Sequence, residues 1–318
     1  MNFKTLPKSW KPKNRNSKLF FLFFAVSLIS FILLVPTIPS AFSYHISQIS
    51  APECRRAQTG NPRSPNNSDI PTIITPRQTL ILSDKPTFRW KQVLGTKSYE
   101  VKLQKGDTVV WQTKTDSIEV VYPGKPKLEP GIEYLLVVTA DNNKSSTEEE
   151  PQPRGFRLLP QEEAEVVKTA IAQLNKKEVP DKVKALGSTY LYIGSELKAE
   201  AIQTLEALVA SGTKETVIYR NLGNLYWQTG VSSQAEINYL NAHKLAKAAK
   251  DTVEQTSLAE FLGILYVDIG DEKTGIDWLT QAREGYKSLG NKQQVEKLNE
   301  QIKTLKSARL SFVTSHES

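Results

Sequence analysis

Two periodicities divide this chain. Between residues 70 and 160, apolar and polar positions alternate. Tyr99, Val101 and Leu103 are interleaved with Glu100, Lys102 and Gln104, the period of two that a strand with one buried face requires. Comparable runs occupy 79–82, 87–90, 108–113, 117–122, 132–140 and 155–159. Turn formers such as Lys105-Gly106-Asp107 and Asp141-Asn142-Asn143 stand between them. About seven short strands in about 90 residues predict a β-sandwich.

From residue 161 the period becomes helical and the pattern repeats. Tyr219, Leu222, Gly223, Tyr226, Gly230, Ala235, Tyr239 and Ala242 form the clearest copy. Ala259, Leu262, Gly263, Tyr266, Gly270, Gly275, Leu279 and Ala282 form another. Val183, Leu186, Gly187, Tyr190 and Gly194 open a looser one, continued by Ala201, Leu205 and Leu208. Leu222 and Tyr226 stack on one face of a first helix, and Ala235, Tyr239 and Ala242 line a second. Gly223 and the alanines let the two approach closely, and Gly230 suits the left-handed cap where the first helix stops. Gly187 to Gly223 is 36 residues and Gly223 to Gly263 is 40, which places about one extra helical turn near 245–252. Residues 162–174 predict a helix in front of the repeats. Val295, Leu298, Ile302 and Leu305 form the single apolar stripe of a terminal capping helix.

The spacing of these copies resembles the tetratricopeptide repeat, a pair of antiparallel helices with small and aromatic residues at fixed positions. The copy at 219–242 matches all eight usual positions if aromatics are interchanged, whereas Ala259 and Gly275 depart in the last copy. The resemblance implies a groove lined by the first helices, at Lys184, Ser188, Arg220, Asn224, Trp227, Glu260, Ile264 and Asp268. Lys184, Arg220 and Asn224 are similar to the family's clamp for a C-terminal carboxylate. Ser257 and Phe261 depart from it in the third repeat. A second resemblance, to fibronectin type III domains, rests on Pro86-Thr87-Phe88-Arg89-Trp90, Tyr99-Glu100-Val101 and the stretch Leu128-Glu129-Pro130-Gly131-Ile132-Glu133-Tyr134. It implies that Trp90 and Tyr99 are core anchors and that Tyr134 forms a tyrosine corner. Trp111 is the aromatic of this region with a candidate surface role.

Residues 1–18 carry Lys4, Lys8, Lys11, Lys13, Arg15 and Lys18 and no acid, and an apolar run follows at 19–35. The run predicts a membrane anchor with the N-terminus inside. The alternative is a signal peptide cleaved near Ser43, at the small-x-small site Ala41-Phe42-Ser43. Of 41 basic residues, six precede residue 19, which leaves 35 against 34 acids. The net charge of +7 is then a topology signal and not the footprint of nucleic-acid binding. Residues 44–69 read as a flexible tether, and Cys54, the one cysteine, has no intramolecular partner.

The expected organisation is therefore multidomain. It comprises a membrane segment (1–43), a tether (44–69), an all-β fibronectin III/Ig-like sandwich (70–160), an all-α tetratricopeptide solenoid with capping helix (161–307) and a disordered tail (308–318). His45, His243 and His316 have no metal-ligand spacing, and no phosphate loop or nucleophile elbow occurs. The expectation is a noncatalytic adaptor of the cell envelope, with no cofactor, no metal, no nucleic acid and no small-molecule substrate. It sits at the inner membrane, the bulk on the periplasmic side, and binds a protein partner through the repeat groove. A carbohydrate- or cell-wall-binding module acting through the sandwich is the alternative.

Overall fold

The computed structural model describes residues 69–149 and 155–316, with side chains to residue 307. Among the described residues eight strands come first: β1 (Ile73–Thr75), β2 (Thr79–Ile81), β3 (Thr87–Trp90), β4 (Tyr99–Lys105), β5 (Thr108–Thr115), β6 (Glu119–Val121), β7 (Glu133–Ala140) and β8 (Phe156–Leu158). They form a three-stranded sheet, β1-β3-β6, and a five-stranded sheet, β2-β8-β7-β4-β5. The central pair β4/β7 is antiparallel, with Tyr99 opposite Ala140, Val101 opposite Val138 and Leu103 opposite Leu136. The alternation read from the sequence sets this register, because a slip of one residue would turn every one of these side chains to solvent.

The core between the sheets is aromatic. Phe88 lies 5.9 Å from Trp111, Tyr122 and Phe156, and Trp90 meets Tyr99 edge-on at 5.4 Å. Such tilted pairs add about 0.5–1.5 kcal/mol each beyond the area they bury. Tyr134 is buried, and its hydroxyl accepts the Glu129 N–H at 3.0 Å across the Pro130-Gly131 turn. Gly131 there has φ +77° and no atom near its missing Cβ, so its backbone conformation and not its size selects glycine.

Two parts of the expected fold class require correction. The β domain is mixed, because β2 pairs with β8 in parallel while the remaining strand pairs run antiparallel. The first strand region is split: Pro76 lacks an N–H to continue the ladder and Gln78, at φ +49°, turns the chain into the second sheet. The predicted membrane helix is the second correction. It falls on residues outside the described ones, and among the described residues no helix is long and apolar enough to cross a membrane. The inner-membrane localisation built on that helix is withdrawn with it. The tether at 44–69 lies almost wholly outside the described residues, as does Cys54.

The region after residue 160 is helical and repeat-like. Its helices are α1 (Gln161–Asn175), α2 (Asp181–Gly194), α3 (Lys198–Ala210), α4 (Thr216–Gln228), α5 (Ser232–Ala248), α6 (Thr252–Asp268), α7 (Glu272–Ser288) and α8 (Lys292–His316). Each packs on the next. The extra turn shows as length, since α4 has 13 residues and α5 and α6 have 17 each. Glycine marks each close crossing. A Cβ on Gly187 would meet Leu174 at 2.8 Å, one on Gly223 would meet Tyr239 at 2.5 Å, and one on Gly263 would meet Leu279 at 2.7 Å. Helix α8 continues past Ser307 to His316, there being no glycine or proline after Gly290 to stop it.

The β domain and the repeats share a polar junction. The Thr79 hydroxyl accepts the N–H of Lys198 at 2.8 Å and of Ala199 at 3.3 Å, at the start of α3. In return, Glu200 Oε1 accepts the Leu82 N–H, and the Glu196 carbonyl accepts the Leu80 N–H at 3.0 Å. Glu200 Oε2 has no partner among the described residues. Burial pushes this carboxyl up from its ordinary range, offset in part by the amides of Leu82 and Ser83. A carboxyl raised by folding stabilises most when protonated, and loses that contribution as pH rises through its folded value. Glu200→Gln keeps an acceptor for Leu82 and removes the buried charge. The difference in Tm between this variant and the parent should therefore grow in the variant's favour from about pH 4 to about pH 8; a pH-independent difference would contradict the assignment.

Candidate partner-binding face

The first helices of the three repeats, α2, α4 and α6, carry the eight residues predicted to line a groove, and they divide into two groups. One group is drawn into contacts within the stack. Arg220 Nη1 lies 2.8 and 2.7 Å from the two carboxylate oxygens of Glu254, the next repeat's contribution. Burial holds the Glu254 carboxyl above its ordinary value, and Arg220's charge offsets part of that. Asn224 Oδ1 accepts the Tyr239 hydroxyl at 2.7 Å. Glu260 is buried and accepts the Tyr286 hydroxyl at 2.7 Å and the Gln294 amide at 3.0 Å, with Lys297 Nζ at 3.5 Å. These contacts tie α6 to α7 and α8. Ile264 is buried in the cluster of Ile276, Leu279, Leu298 and Ile302, and Ser188 is also buried.

The other group meets solvent. Lys184 is partly exposed, its Nζ 3.6 Å from the fully exposed Asp181 carboxylate. Trp227 is half-buried, edge-on to Tyr239 at 6.3 Å, and its indole N–H donates to Asp268 Oδ2 at 3.2 Å. Tyr239 in turn stacks on Phe261 at 5.6 Å. An aromatic step is thus built from α4, α5 and α6, and Asp268 is its exposed rim.

Sequence reasoning overlooked the ion pairs that connect repeats. Lys182 pairs with Glu215 across 33 residues and Arg220 with Glu254 across 34. A search for opposite charges one repeat apart would have found both. The three donors of the expected carboxylate clamp do not stand free together, since Arg220 is held by Glu254 and Asn224 by Tyr239.

Elsewhere the candidate residues are structural. Trp111 packs against Phe88 and Tyr122. His243 faces the Trp278 ring at 5.1 Å with Nε2 buried, and burial, aided by Lys247, lowers its pKa, so the ring is neutral near pH 7. Among the described residues no group of three or more His, Cys, Asp or Glu is arranged to hold a metal ion. An open groove of about 560 Å³ runs between α2 and α3, past Ala185, Tyr192, Glu200, Thr204, Ala207 and Leu208; none of the eight predicted residues lines it.

No family model matches the chain, and no curated protein matches it either. Among solved structures, MamA is similar over 46% of this chain and 90% of its own, at 15% identity and a TM-score of 0.33. BtubC from P. vanneervenii is similar over 46% of this chain and 74% of its own, at 17% identity and a TM-score of 0.34. At these scores the likeness carries no argument about what the chain does.

Proposed function

We propose that this chain is a noncatalytic adaptor that binds a protein partner on the tetratricopeptide-like face of α2, α4 and α6. One observation carries the reading. Trp227 is half-buried and held in one orientation by Tyr239 and Asp268 from two other helices. A large aromatic fixed before binding loses little side-chain freedom when a partner covers it, and tryptophan is among the residues that dominate binding hot spots. Lys184 and Asp268 supply charge at the two ends of this face. Arg220, Asn224, Glu260, Ile264 and Ser188 act by holding its shape, so a partner's carboxylate would have to displace Glu254 to reach Arg220.

Trp227→Ala tests this. The expected result is loss of partner affinity by about thirtyfold, the effect of removing a hot spot of about 2 kcal/mol, with the helical circular-dichroism signal unchanged. A variant that loses helix content while its partner affinity follows only that loss would make Trp227 a packing residue and sink the proposal.

A further inference from the structure

We infer that the β domain is the N-terminal brace of the helical stack, locked to it by a reciprocal cap between Thr79 on β2 and the first turn of α3. Each side of the junction lacks what the other provides. Helix α3 starts after Leu197, which has no side chain able to cap it, so its first N–H groups need an outside acceptor. The Thr79 hydroxyl is that acceptor, receiving the N–H groups of Lys198 and Ala199, while its one proton goes to the Leu80 carbonyl at 2.6 Å, with the Glu196 carbonyl at 3.1 Å as the alternative acceptor. Among the described residues strand β2 pairs with β8 on one side only, and an open edge leaves backbone groups unpaired. The Glu196 carbonyl and the Glu200 carboxylate take the N–H groups of Leu80 and Leu82 on that edge. Lys198 Nζ adds a contact to the Gln78 carbonyl at 3.3 Å.

A second tie reaches the next repeat. Arg89 on β3 lies 2.6 Å from Glu206 on α3, and Glu206 also accepts the hydroxyl of Tyr226, a buried residue of α4. Arg77, from the turn between β1 and β2, packs against the Gly230 turn that follows α4, where a Cβ would meet its Nη2 at 3.0 Å. Ile74 joins the apolar cluster that runs from α3 to α6, and Ala199 joins that of the β domain. The β domain thereby fixes the start of α3 and the C-terminal part of α4, the helix that carries Trp227.

Amide hydrogen exchange on the full chain tests the brace. Thr79→Val removes the hydroxyl at nearly constant volume, and exchange at Lys198 and Ala199 should speed up about tenfold, the effect of losing a helix cap. Thr79→Ser should restore the parent rates. Arg89→Leu should accelerate exchange across α4 while leaving the centre of β7 unchanged. Unfolding of Thr79→Val alongside a folded Thr79→Ser is the same outcome in stronger form. Unchanged rates at Lys198 and Ala199 in a folded Thr79→Val, acceleration that serine does not reverse, or an α4 indifferent to Arg89→Leu would overturn the inference.

Discussion

Gly223→Ala is expected to destabilise the protein by about 2 kcal/mol, although alanine is the better helix former by about 1 kcal/mol. The added methyl would sit 2.5 Å from both Cδ1 and Cε1 of Tyr239. That ring cannot step aside easily. It is fully buried, stacked on Phe261, edge-on to Trp227, and fastened through its hydroxyl to Asn224. A close-packed interior must then move a helix to admit one carbon. Gly223→Val should cost more still. Chemical denaturation followed by helix signal is the check, and a midpoint equal to or above the parent's would show that the crossing is looser than described. Gly290 provides the internal contrast, because nothing lies within 4 Å of its missing Cβ and its demand is for φ +73° alone.

Glu149→Ala is expected to cost about 3 kcal/mol, the range found when one partner of a buried ion pair is removed. Arg77 is 3% exposed, its Nη1 lies 2.6 Å from Glu149 Oε2, and its Nε has no partner among the described residues. Without the carboxylate the guanidinium is left charged in a site closed by Gly230 and Gln78. The double variant Arg77→Met with Glu149→Ala removes the stranded charge as well, and should recover a large part of the loss. Thermal unfolding of the two variants beside the parent decides it. A double variant less stable than the single one would show that Arg77 contributes packing and not charge balance.

The parts of this structure that could be read from sequence are those governed by short-range periodicity. Tyr99, Val101 and Leu103 announce β4 because alternate side chains share a face. Leu222, Gly223 and Tyr226 announce a helix that must lie close to another. Strand β1 was invisible because Ile73-Ile74-Thr75 is too short, between Pro71 and Pro76, to show alternation. The parallel pairing of β2 with β8 leaves no local trace, since its partners are 77 residues apart, as Thr79 and Phe156 are. The junction was equally hidden: Thr79 meets Lys198 across 119 residues, and Arg89 meets Glu206 across 117. At the candidate face, the repeat spacing located α2, α4 and α6 but could not tell which polar side chains stay free. Arg220 and Glu260 look like surface residues in sequence, and become internal once Glu254 and Tyr286 are brought beside them.

The proposed adaptor role requires a protein partner seated against Trp227. A photo-crosslinking residue placed at position 268, on the rim beside the indole, should yield one discrete protein adduct in cells. That adduct should fade when Trp227 is changed to alanine, and the same probe at Ile237, 50% exposed on α5, should not give it. An adduct formed from position 237 but not from 268, or one indifferent to the loss of the indole, would place the working surface elsewhere.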